Sequence, residues 1–392
     1  FNLLNSPNEP AIEQSIAELY LDHKIHAVEA SAYLLPTSAV AQYRAAGLSL
    51  GPDGKIRIGN KLIVKLSRRE VAQRFLEPAS EEILGRLAAD GKITAEQAAL
   101  ARQVPMADAI TVEADSGGHT DNRPLVSLIP AFLAQRDRVQ TQRNYPQPVL
   151  IGAGGGIGTP AAALAAFTMG AAYVVTGSIN QTCLEAGTSE HTRKLLAQAE
   201  MTDVSMAPAA DMFEMGVKVQ VLKRGTMFAM RAQKLYELYS RYPCWEEIPE
   251  AEREKLEKTV FRRSFDSIWE ECVQFFSVRD PRQMERGLKD AHDRMALVFR
   301  WYLGLSSRWS AVGEPGREMD YQIWCGPSMG AFNDWARETY LAEAANRRVA
   351  DVNLQLLTGA GYLQRVRALE GQGVRLPHEV RNYRPEERLI AD

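Results

Sequence analysis

The sequence lacks the features on which several classes of protein depend. Its four cysteines, at positions 183, 244, 272 and 325, lie far apart and form no CxxC pair, which argues against a disulfide framework or a zinc site and favours a reducing compartment. No apolar run reaches the roughly 20 residues of a membrane helix, and no signal peptide is visible. The formal net charge of −3 gives no case for nucleic acid or membrane binding. We therefore predict a cytoplasmic protein without a metal site.

Two nucleotide-binding fingerprints are missing from the most glycine-rich stretch, "PVLIGAGGGIGTP" (148–160). A dinucleotide fingerprint that starts at Gly152 would need glycine where Ile157 stands, and one that starts at Gly154 would need glycine where Thr159 stands. No Gly-Lys-Ser/Thr follows, so a P-loop is excluded as well. A glycine loop between an apolar strand and a helix instead favours an anion site for one phosphate group. A tight turn without a ligand remains the alternative.

Apolar runs alternate with amphipathic stretches over the first 186 residues. Six of these runs are predicted strands: "FNLL", "HAVEASA", "KLIVKLS", "AITVEAD", "PVLIGA" and "AYVVTGS". The alternation predicts an α/β fold, a (β/α)8 TIM barrel, and such a barrel takes eight strands. We therefore expect two further strands before Phe1 in a longer protein, so that residues 1–186 form an N-terminally incomplete barrel. Residues 187–392 have helical periodicity and almost no β pattern, which predicts a helical substrate or lid region.

Two ionisable side chains stand where chemistry is expected. His119 follows a buried strand and two glycines in "VEADSGGHTDNRP", and histidine is the side chain best suited to proton transfer near neutral pH. Alternatively, it forms a structural hydrogen bond to Asp115 or Asp121. Lys65 lies inside the apolar strand "LIVKLSR", where a buried ammonium group needs an anion or a carbonyl. Alternatively, its head group reaches solvent at the rim of the strand.

Several stretches of the sequence resemble one family of flavin proteins. "EADSGGH" is similar to the acid-x-Gly-Gly-His motif of the nitronate monooxygenase (2-nitropropane dioxygenase) family of FMN barrels, and "GAGGGI" and "VVTGS" resemble its two phosphate-binding segments. The longer stretches "APAADMFEMGVKVQVLKRGTMF" and "DYQIWCGPSMGAFNDW" are similar to the trans-acting enoyl reductases of polyketide and polyunsaturated fatty-acid synthases (the PfaD group). This resemblance covers nearly the whole chain.

The resemblance implies a function and a set of site residues. It implies FMN and NADPH (or NADH) as cofactors, an enoyl thioester substrate, and an acyl carrier protein of a synthase as partner, with a homodimer left open. It implies His119 as the catalytic residue and Asn2 as an asparagine that contacts FMN at the end of the third barrel strand. The other implied cofactor-binding residues are Lys65, Gly117, Gly118, Gly154, Gly155, Gly156, Thr176, Gly177 and Ser178. Lys65 would stabilise negative charge on the reduced pyrimidine ring.

Two other functions remain open at this stage. The first is nitronate oxidation by O₂, which would use the same flavin and the same histidine. The second is a non-catalytic scaffold component of a synthase, in which the barrel is degenerate and the helices bind partner proteins. The presence or absence of a bound flavin separates the scaffold from both enzymes.

Overall fold

The computed structural model describes residues 1–7 and 9–390, which form two compact units. Unit 1 comprises residues 1–115, 121–157 and 162–175, apart from the undescribed position. Unit 2 comprises residues 116–120, 158–161 and 176–390 of the described chain. The predicted domain boundary after residue 186 stays a prediction.

The strands and helices of both units are numbered in chain order. The strands are β1 Asn2–Leu4, β2 Ala27–Ser31, β3 Leu48–Leu50, β4 Ile56–Ile58, β5 Lys61–Leu66, β6 Ala109–Glu113, β7 Gly118–His119, β8 Leu150–Gly154, β9 Val174–Val175, β10 Val204–Pro208 and β11 Lys218–Leu222. The helices are α1 Pro10–Asp22, α2 Ser38–Ala46, α3 Arg69–Leu76, α4 Glu81–Ala89, α5 Ala95–Ala101, α6 Leu125–Arg143, α7 Pro160–Thr168, α8 Glu190–Ala197, α9 Phe228–Arg241, α10 Glu250–Leu256, α11 Phe265–Arg279, α12 Pro281–Lys289, α13 Ala291–Val312, α14 Ser328–Ala336 and α15 Val349–Gly371.

A parallel sheet forms the centre of unit 1. Its strand order in the described residues is β1-β2-β5-β6-β8-β9, so each strand pairs with the next one along the chain, apart from the hairpin β3–β4 and strand β7, which belong to other sheets. These are the six strands predicted from the sequence, and their positions and order are confirmed. In β5 the residues Leu62, Val64 and Leu66 are buried, whereas Lys61, Ile63 and Lys65 on the opposite face are not. This alternation places the charged side chains of the strand on the face away from the packed apolar layer.

Short polar residues set the beginnings of several helices in unit 1. The side chains of Thr37 and Ser80 accept hydrogen bonds from amides in the first turns of α2 and α4. Thr94 and Gln97 form a reciprocal capping box at the start of α5. Asn144 ends α6 in the left-handed conformation, with a φ of 51°. Local sequence therefore determines where these helices end, while the apolar side chains of the strands provide the surface against which the helices pack.

Unit 2 contains a small antiparallel sheet, which corrects the prediction that the chain after residue 187 has almost no β pattern. Strand β10 pairs with β11, and β11 pairs with β7. Both longer strands, "VSMAP" and "KVQVL", span only five residues, and a segment rich in methionine and acidic residues separates them. The alternation in each strand is too short to outweigh the helical periodicity on either side.

Helices make up most of unit 2, and two of its helical stretches are interrupted. In the first stretch, α10 passes into a π-helical segment, Glu257–Phe261, which ends at Arg262 with a φ of 58°. In the second, Asp290 separates α12 from α13, and its side chain accepts hydrogen bonds from the amides of His292 and Asp293. Aromatic residues fill the core between these helices. No helix in the described residues combines the length and apolarity needed to cross a bilayer.

Candidate active site

An ion pair lies at the carboxyl ends of two neighbouring strands of unit 1. Lys65 Nζ on β5 lies 2.6 Å from Glu113 Oε1 on β6, and these side chains are 30% and 22% exposed. The ammonium group of Lys65 therefore has an anionic partner within its own unit, which is what the interpretation as a buried lysine required. Its predicted role towards a flavin stays a prediction.

The glycine loop after β8 has a backbone that other residues would not adopt. Gly155 has a φ of 87° and Gly156 a φ of 74°, both in the left-handed region that favours glycine. A Cβ on Gly155 would lie 2.8 Å from the backbone oxygens of Ala114 and Asp115, so no side chain fits there. A Cβ on Gly156 would meet nothing within 4 Å, so this residue borders open space. A bare backbone beside open space leaves room for a phosphate group, and the predicted phosphate contact of Gly154, Gly155 and Gly156 stays a prediction.

Packing alone explains why position 152 of the same stretch is a glycine. A Cβ on Gly152 would lie 2.2 Å from the ring of Tyr173, so glycine lets this ring pass across β8. The Tyr173 hydroxyl lies 2.9 Å from Thr111 Oγ1. Burial raises the pKa of Tyr173 to about 12. The aromatic ring, and not a nucleotide, accounts for this glycine.

The predicted second phosphate segment, Thr176 to Ser178, belongs to unit 2. Thr176 Oγ1 lies 2.9 Å from Asn353 Oδ1 and 3.0 Å from Asn180 Oδ1. Ser178 Oγ accepts a hydrogen bond of 2.9 Å from the amide of Gly326. Gly177 between them is exposed, and a Cβ there would meet nothing within 4 Å. Both hydroxyl groups therefore make contacts that hold the turn, and the glycine is the part of the turn that borders open space.

His119 has a carboxylate partner that the sequence analysis did not identify. It lies on β7, and its Nε2 is 3.1 Å from Asp211 Oδ1, although 92 positions separate the two residues. Burial acts to raise the pKa of the Asp211 carboxyl, but the hydrogen bond and charge of His119, together with hydrogen bonds from the backbone amides of Asp211 and Met212, outweigh it, so the net pKa is lower than usual. Of the predicted partners, Asp115 accepts a hydrogen bond from Asn122 and Asp121 accepts one from Ser67.

A second cation fixes the turn that carries Asp211. Arg300 on α13 donates from Nε to the carbonyl oxygen of Ala210 at 2.8 Å and from Nη1 to Glu214 Oε1 at 3.0 Å. These contacts lie on either side of Asp211 in the chain, so Arg300 holds the turn between β10 and β11. No local sequence pattern indicated Asp211 or Arg300, because the contacts join segments that are distant in the chain.

The glycines before His119 pack against a neighbouring backbone segment of unit 2. A Cβ on Gly117 would lie 2.7 Å from the amide nitrogen of Cys325, and a Cβ on Gly326 would lie 2.8 Å from that of Gly117. Gly118 has a φ of 82°, and a Cβ there would lie 3.9 Å from Cγ of Trp324. Close passage of two backbones is therefore one cause of this motif, and the predicted contact of Gly117 and Gly118 with FMN stays a prediction.

Trp324 is an additional candidate for contact with a substrate. Its side chain is 47% exposed, which is unusual for an indole, and it lies beside Gly118. A β-bridge to Val221 and a hydrogen bond of 2.6 Å from Gln181 to its carbonyl oxygen hold its backbone. An exposed aromatic ring on a fixed backbone is a typical ligand platform.

Asn2 lies elsewhere than the resemblance implied. It is the first residue of β1, whereas the implied asparagine stands at the end of a strand. Asn5 follows that strand, and its Nδ2 donates a hydrogen bond of 3.0 Å to Glu13 Oε2. Ligand-binding side chains of parallel sheets cluster at the carboxyl ends of strands, so Asn5 fits this rule better than Asn2. The FMN contact of Asn2 stays a prediction.

Comparisons with known proteins were made for the whole chain. The inserted helical domain of [acyl-carrier-protein] S-malonyltransferase matches residues 242–321, a stretch that contains α10 to α13. The chain is 49% identical to a component of the polyunsaturated fatty acid synthase of Thraustochytrium sp., over 94% of this chain and 25% of that protein. It is 43% identical to polyketide biosynthesis protein PksE of Bacillus subtilis, over 92% of this chain and 47% of that protein. The chain thus spans a quarter of the first relative and about half of the second.

A solved structure matches both the sequence and the fold. The enoyl reductase domain of MlnA, from the macrolactin biosynthesis cluster of Bacillus amyloliquefaciens, is 36% identical and has a TM-score of 0.89, with 94% of this chain and 82% of that chain covered. The parallel sheet, its glycine loop and the helices of unit 2 define a TIM-barrel-type α/β protein with a helical addition, which confirms the predicted class. The chain belongs to the enoyl reductase family of polyketide and polyunsaturated fatty-acid synthases.

Proposed function

We propose that this chain is an FMN-dependent enoyl reductase that acts on the α,β-unsaturated thioester of a carrier-bound intermediate and uses NADPH or NADH. The observation that carries the proposal is the pair formed by His119 and Asp211, with 3.1 Å between Nε2 and Oδ1. A histidine held by a carboxylate is suited to proton donation beside a thioester carbonyl group. The likeness to the enoyl reductase domain of MlnA supports the reaction class.

The residues present fit a mononucleotide with a single phosphate. The loop from Gly154 to Gly156 begins at the last residue of β8, and the turn from Thr176 to Ser178 follows the neighbouring strand β9. Gly156 and Gly177 both border open space, and the dinucleotide fingerprint is missing. When bound, FMN would supply the transfer of two electrons from the nicotinamide to the carbon–carbon double bond of the substrate.

His119 would supply the proton that the reduced substrate needs at the carbon next to the thioester. Asp211 accepts a hydrogen bond from Nε2, which fixes the orientation of the imidazole ring and stabilises its protonated form. Because this carboxyl has a lowered pKa, it remains ionised near neutral pH and keeps that effect. Arg300 would act through Asp211 as a positioning residue, since it holds the turn that carries this carboxylate.

The test separates cofactor binding from the two half-reactions in His119→Ala. We expect the parent protein to release FMN on denaturation, and the variant to retain FMN and to be reduced by NADPH at the parent rate. Reduction of a crotonyl thioester should slow by about 10²–10⁴-fold, which is the usual contribution of a positioned acid. Asp211→Asn is the matched variant and should slow the same step by a smaller factor.

Different failures point to different functions. A protein that is colourless and cannot be reconstituted with flavin favours a scaffold component, and release of FAD contradicts the mononucleotide site. Faster turnover of a nitronate with O₂ than of the enoyl thioester would favour the monooxygenase. Thioester reduction at the parent rate in His119→Ala would show that the proton comes from another group.

A further inference from the structure

The indole ring of Trp324 exposes carbon atoms to solvent while its one polar atom is used inside unit 2. The residue is 47% exposed. The side-chain amide of Gln322 satisfies both of its neighbours in one orientation. In that orientation Oε1 accepts a hydrogen bond of 3.1 Å from Trp324 Nε1, and Nε2 donates one of 2.9 Å to the carbonyl oxygen of Leu303. The N–H group therefore needs no water, and the exposed part of the indole is an apolar surface.

Gln322 fixes the plane of this ring. It is 6% exposed, and its backbone amide donates a hydrogen bond of 3.1 Å to the carbonyl oxygen of Ser306. Leu303 and Ser306, which it contacts through its side chain and its backbone, are fully buried residues of α13. The Trp324 backbone is held as well, by the bridge to Val221. A ring that is anchored at its backbone and at its nitrogen loses little conformational entropy when it contacts a ligand.

One edge of β11 carries both Trp324 and His119. Val219 of this strand pairs with His119 of β7. Val221 pairs with Trp324, and β10 occupies the opposite edge of the strand. Two positions along a strand correspond to about 7 Å, so the two backbones stand about that far apart along this edge. The indole also lies near the residue before the histidine, since a Cβ on Gly118 would be 3.9 Å from Trp324 Cγ. The apolar ring is therefore next to the proposed proton donor.

We propose that Trp324 packs against the acyl chain of the substrate, beyond the double bond, and gives the protein a preference for enoyl thioesters with chains longer than crotonyl. This proposal rests on the proposed function, which places the thioester beside His119. A substrate held there has two parts within reach of the ring, the acyl chain and the pantetheine arm. The chain is hydrocarbon, whereas the arm carries amide groups that need hydrogen-bond partners. The apolar ring, whose N–H is already bound, suits the chain. Gln322 acts through the indole as a positioning residue.

The test compares chain lengths on one thioester arm. A fully buried methylene changes an equilibrium constant by about fourfold, and a ring that covers one side of the chain contributes about half of that free energy, or about twofold. The additional methylenes of 2-octenoyl pantetheine, roughly four more than in crotonyl pantetheine, should therefore raise kcat/KM of the parent by about tenfold. Trp324→Ala should bring this ratio near one through a higher KM for the octenoyl thioester, and Trp324→Phe should keep most of it. Gln322→Leu, which frees the indole nitrogen, should lower the ratio by about threefold.

Phe275→Ala is the matched control, because it removes an aromatic side chain of similar exposure, 53%, from α11. It should leave the chain-length ratio at the parent value. The arm is tested separately with the crotonyl group on pantetheine and on N-acetylcysteamine, and Trp324→Ala should change that ratio by less than about twofold. If Trp324→Ala changes the arm ratio and not the chain-length ratio, the ring lies under the arm and the proposal is wrong. A loss that is equal for short and long chains would show a structural role only and would also contradict it.

A binding measurement keeps this proposal separate from the reaction itself. We expect calorimetric titration with octanoyl pantetheine, which has no double bond to reduce, to give a Kd about tenfold higher in Trp324→Ala than in the parent, and a difference below about twofold for butyryl pantetheine. If the parent binds the octanoyl thioester through Trp324 but reduces no enoyl thioester, the proposed function fails and the acyl-chain proposal stands. Equal binding of octanoyl pantetheine by the parent and Trp324→Ala would overturn the acyl-chain proposal. So would failure of acrylamide to quench the emission that Trp324→Phe removes, because another part of the protein would then cover the ring.

Discussion

Replacing Gly177 by aspartate tests whether the turn after β9 holds a phosphate. Gly177 has a φ of −129° and a ψ of −76°, outside the left-handed region, and a Cβ there would meet nothing within 4 Å. Aspartate therefore fits the folded turn, in contrast to Gly155→Asp, where the new Cβ would lie 2.8 Å from backbone atoms. If Gly155→Asp lost FMN, the loss could come either from repulsion of a phosphate or from a damaged fold, and the experiment would not tell which. Gly177→Asp can separate them.

The expected effect follows from the repulsion between the carboxylate and a bound phosphate. Two unit charges about 5 Å apart repel each other by about 3 kcal/mol at an effective dielectric constant of about 20. Since about 1.4 kcal/mol changes an equilibrium constant tenfold, the Kd for FMN should rise about a hundredfold. Salt should reduce this effect, because Gly177 is exposed.

The assay is a titration of flavin-free protein with FMN, followed by the quenching of flavin fluorescence. Gly177→Asn is the control, since its side chain has nearly the same shape without the charge, and it should bind FMN within about fivefold of the parent. Thermal unfolding of both variants should match the parent, which would exclude a damaged fold. If the aspartate and asparagine variants bind FMN equally well, the turn carries no phosphate and the argument from its geometry is wrong.

Two further predictions concern unit 2. In Arg300→Met the turn between β10 and β11 loses both of its contacts with this side chain, so we expect thioester reduction to slow by about tenfold. FMN content and the KM for NADPH should stay unchanged, and Arg300→Lys should restore part of the rate. A parent-like rate in Arg300→Met would show that the turn needs no support from this arginine. Asp320 is fully buried and contacts three arginines, including Arg317 at 3.1 Å, so Asp320→Ala should lower the free energy of unfolding by about 3–5 kcal/mol in chemical denaturation. Its control Asp334→Ala, which breaks an exposed pair, should cost less than about 1 kcal/mol. Equal losses in these two variants would contradict the argument from burial.

The main sheet could be predicted from sequence because each of its strands contributes to an apolar run that is bounded by polar residues or glycine. The hairpin of β10 and β11 could not, because its strands are short and their residues include methionine, alanine and proline. Helix boundaries inside unit 2 were missed where one residue breaks the helix, such as Arg262 with its positive φ. In these cases the local conformation depends on packing in three dimensions, which a periodic pattern does not contain.

The candidate site shows the same division between local and distant information. His119 and the glycine loop stand out because a histidine and several glycines follow apolar strands directly. The partner of His119 is 92 positions away, so nothing near the histidine indicates Asp211. The glycines before His119 were attributed to a ligand, which stays a prediction, and the structure adds a contact of Gly117 with the backbone of Cys325 that the sequence did not indicate. A glycine in a sequence indicates a close approach but not what approaches.

The contact between Gly117 and the segment Cys325–Gly326 has a mechanical consequence. No side chain of these glycines stands between the two backbones, so no change of rotamer can absorb a displacement of one relative to the other. A molecule that pushes on the exposed indole of Trp324 therefore pushes on the peptide that leads to His119, two residues further along. We therefore expect binding at that aromatic surface to shift the imidazole of His119, because the two backbone segments meet at Gly117 and Gly326, which have no side chains.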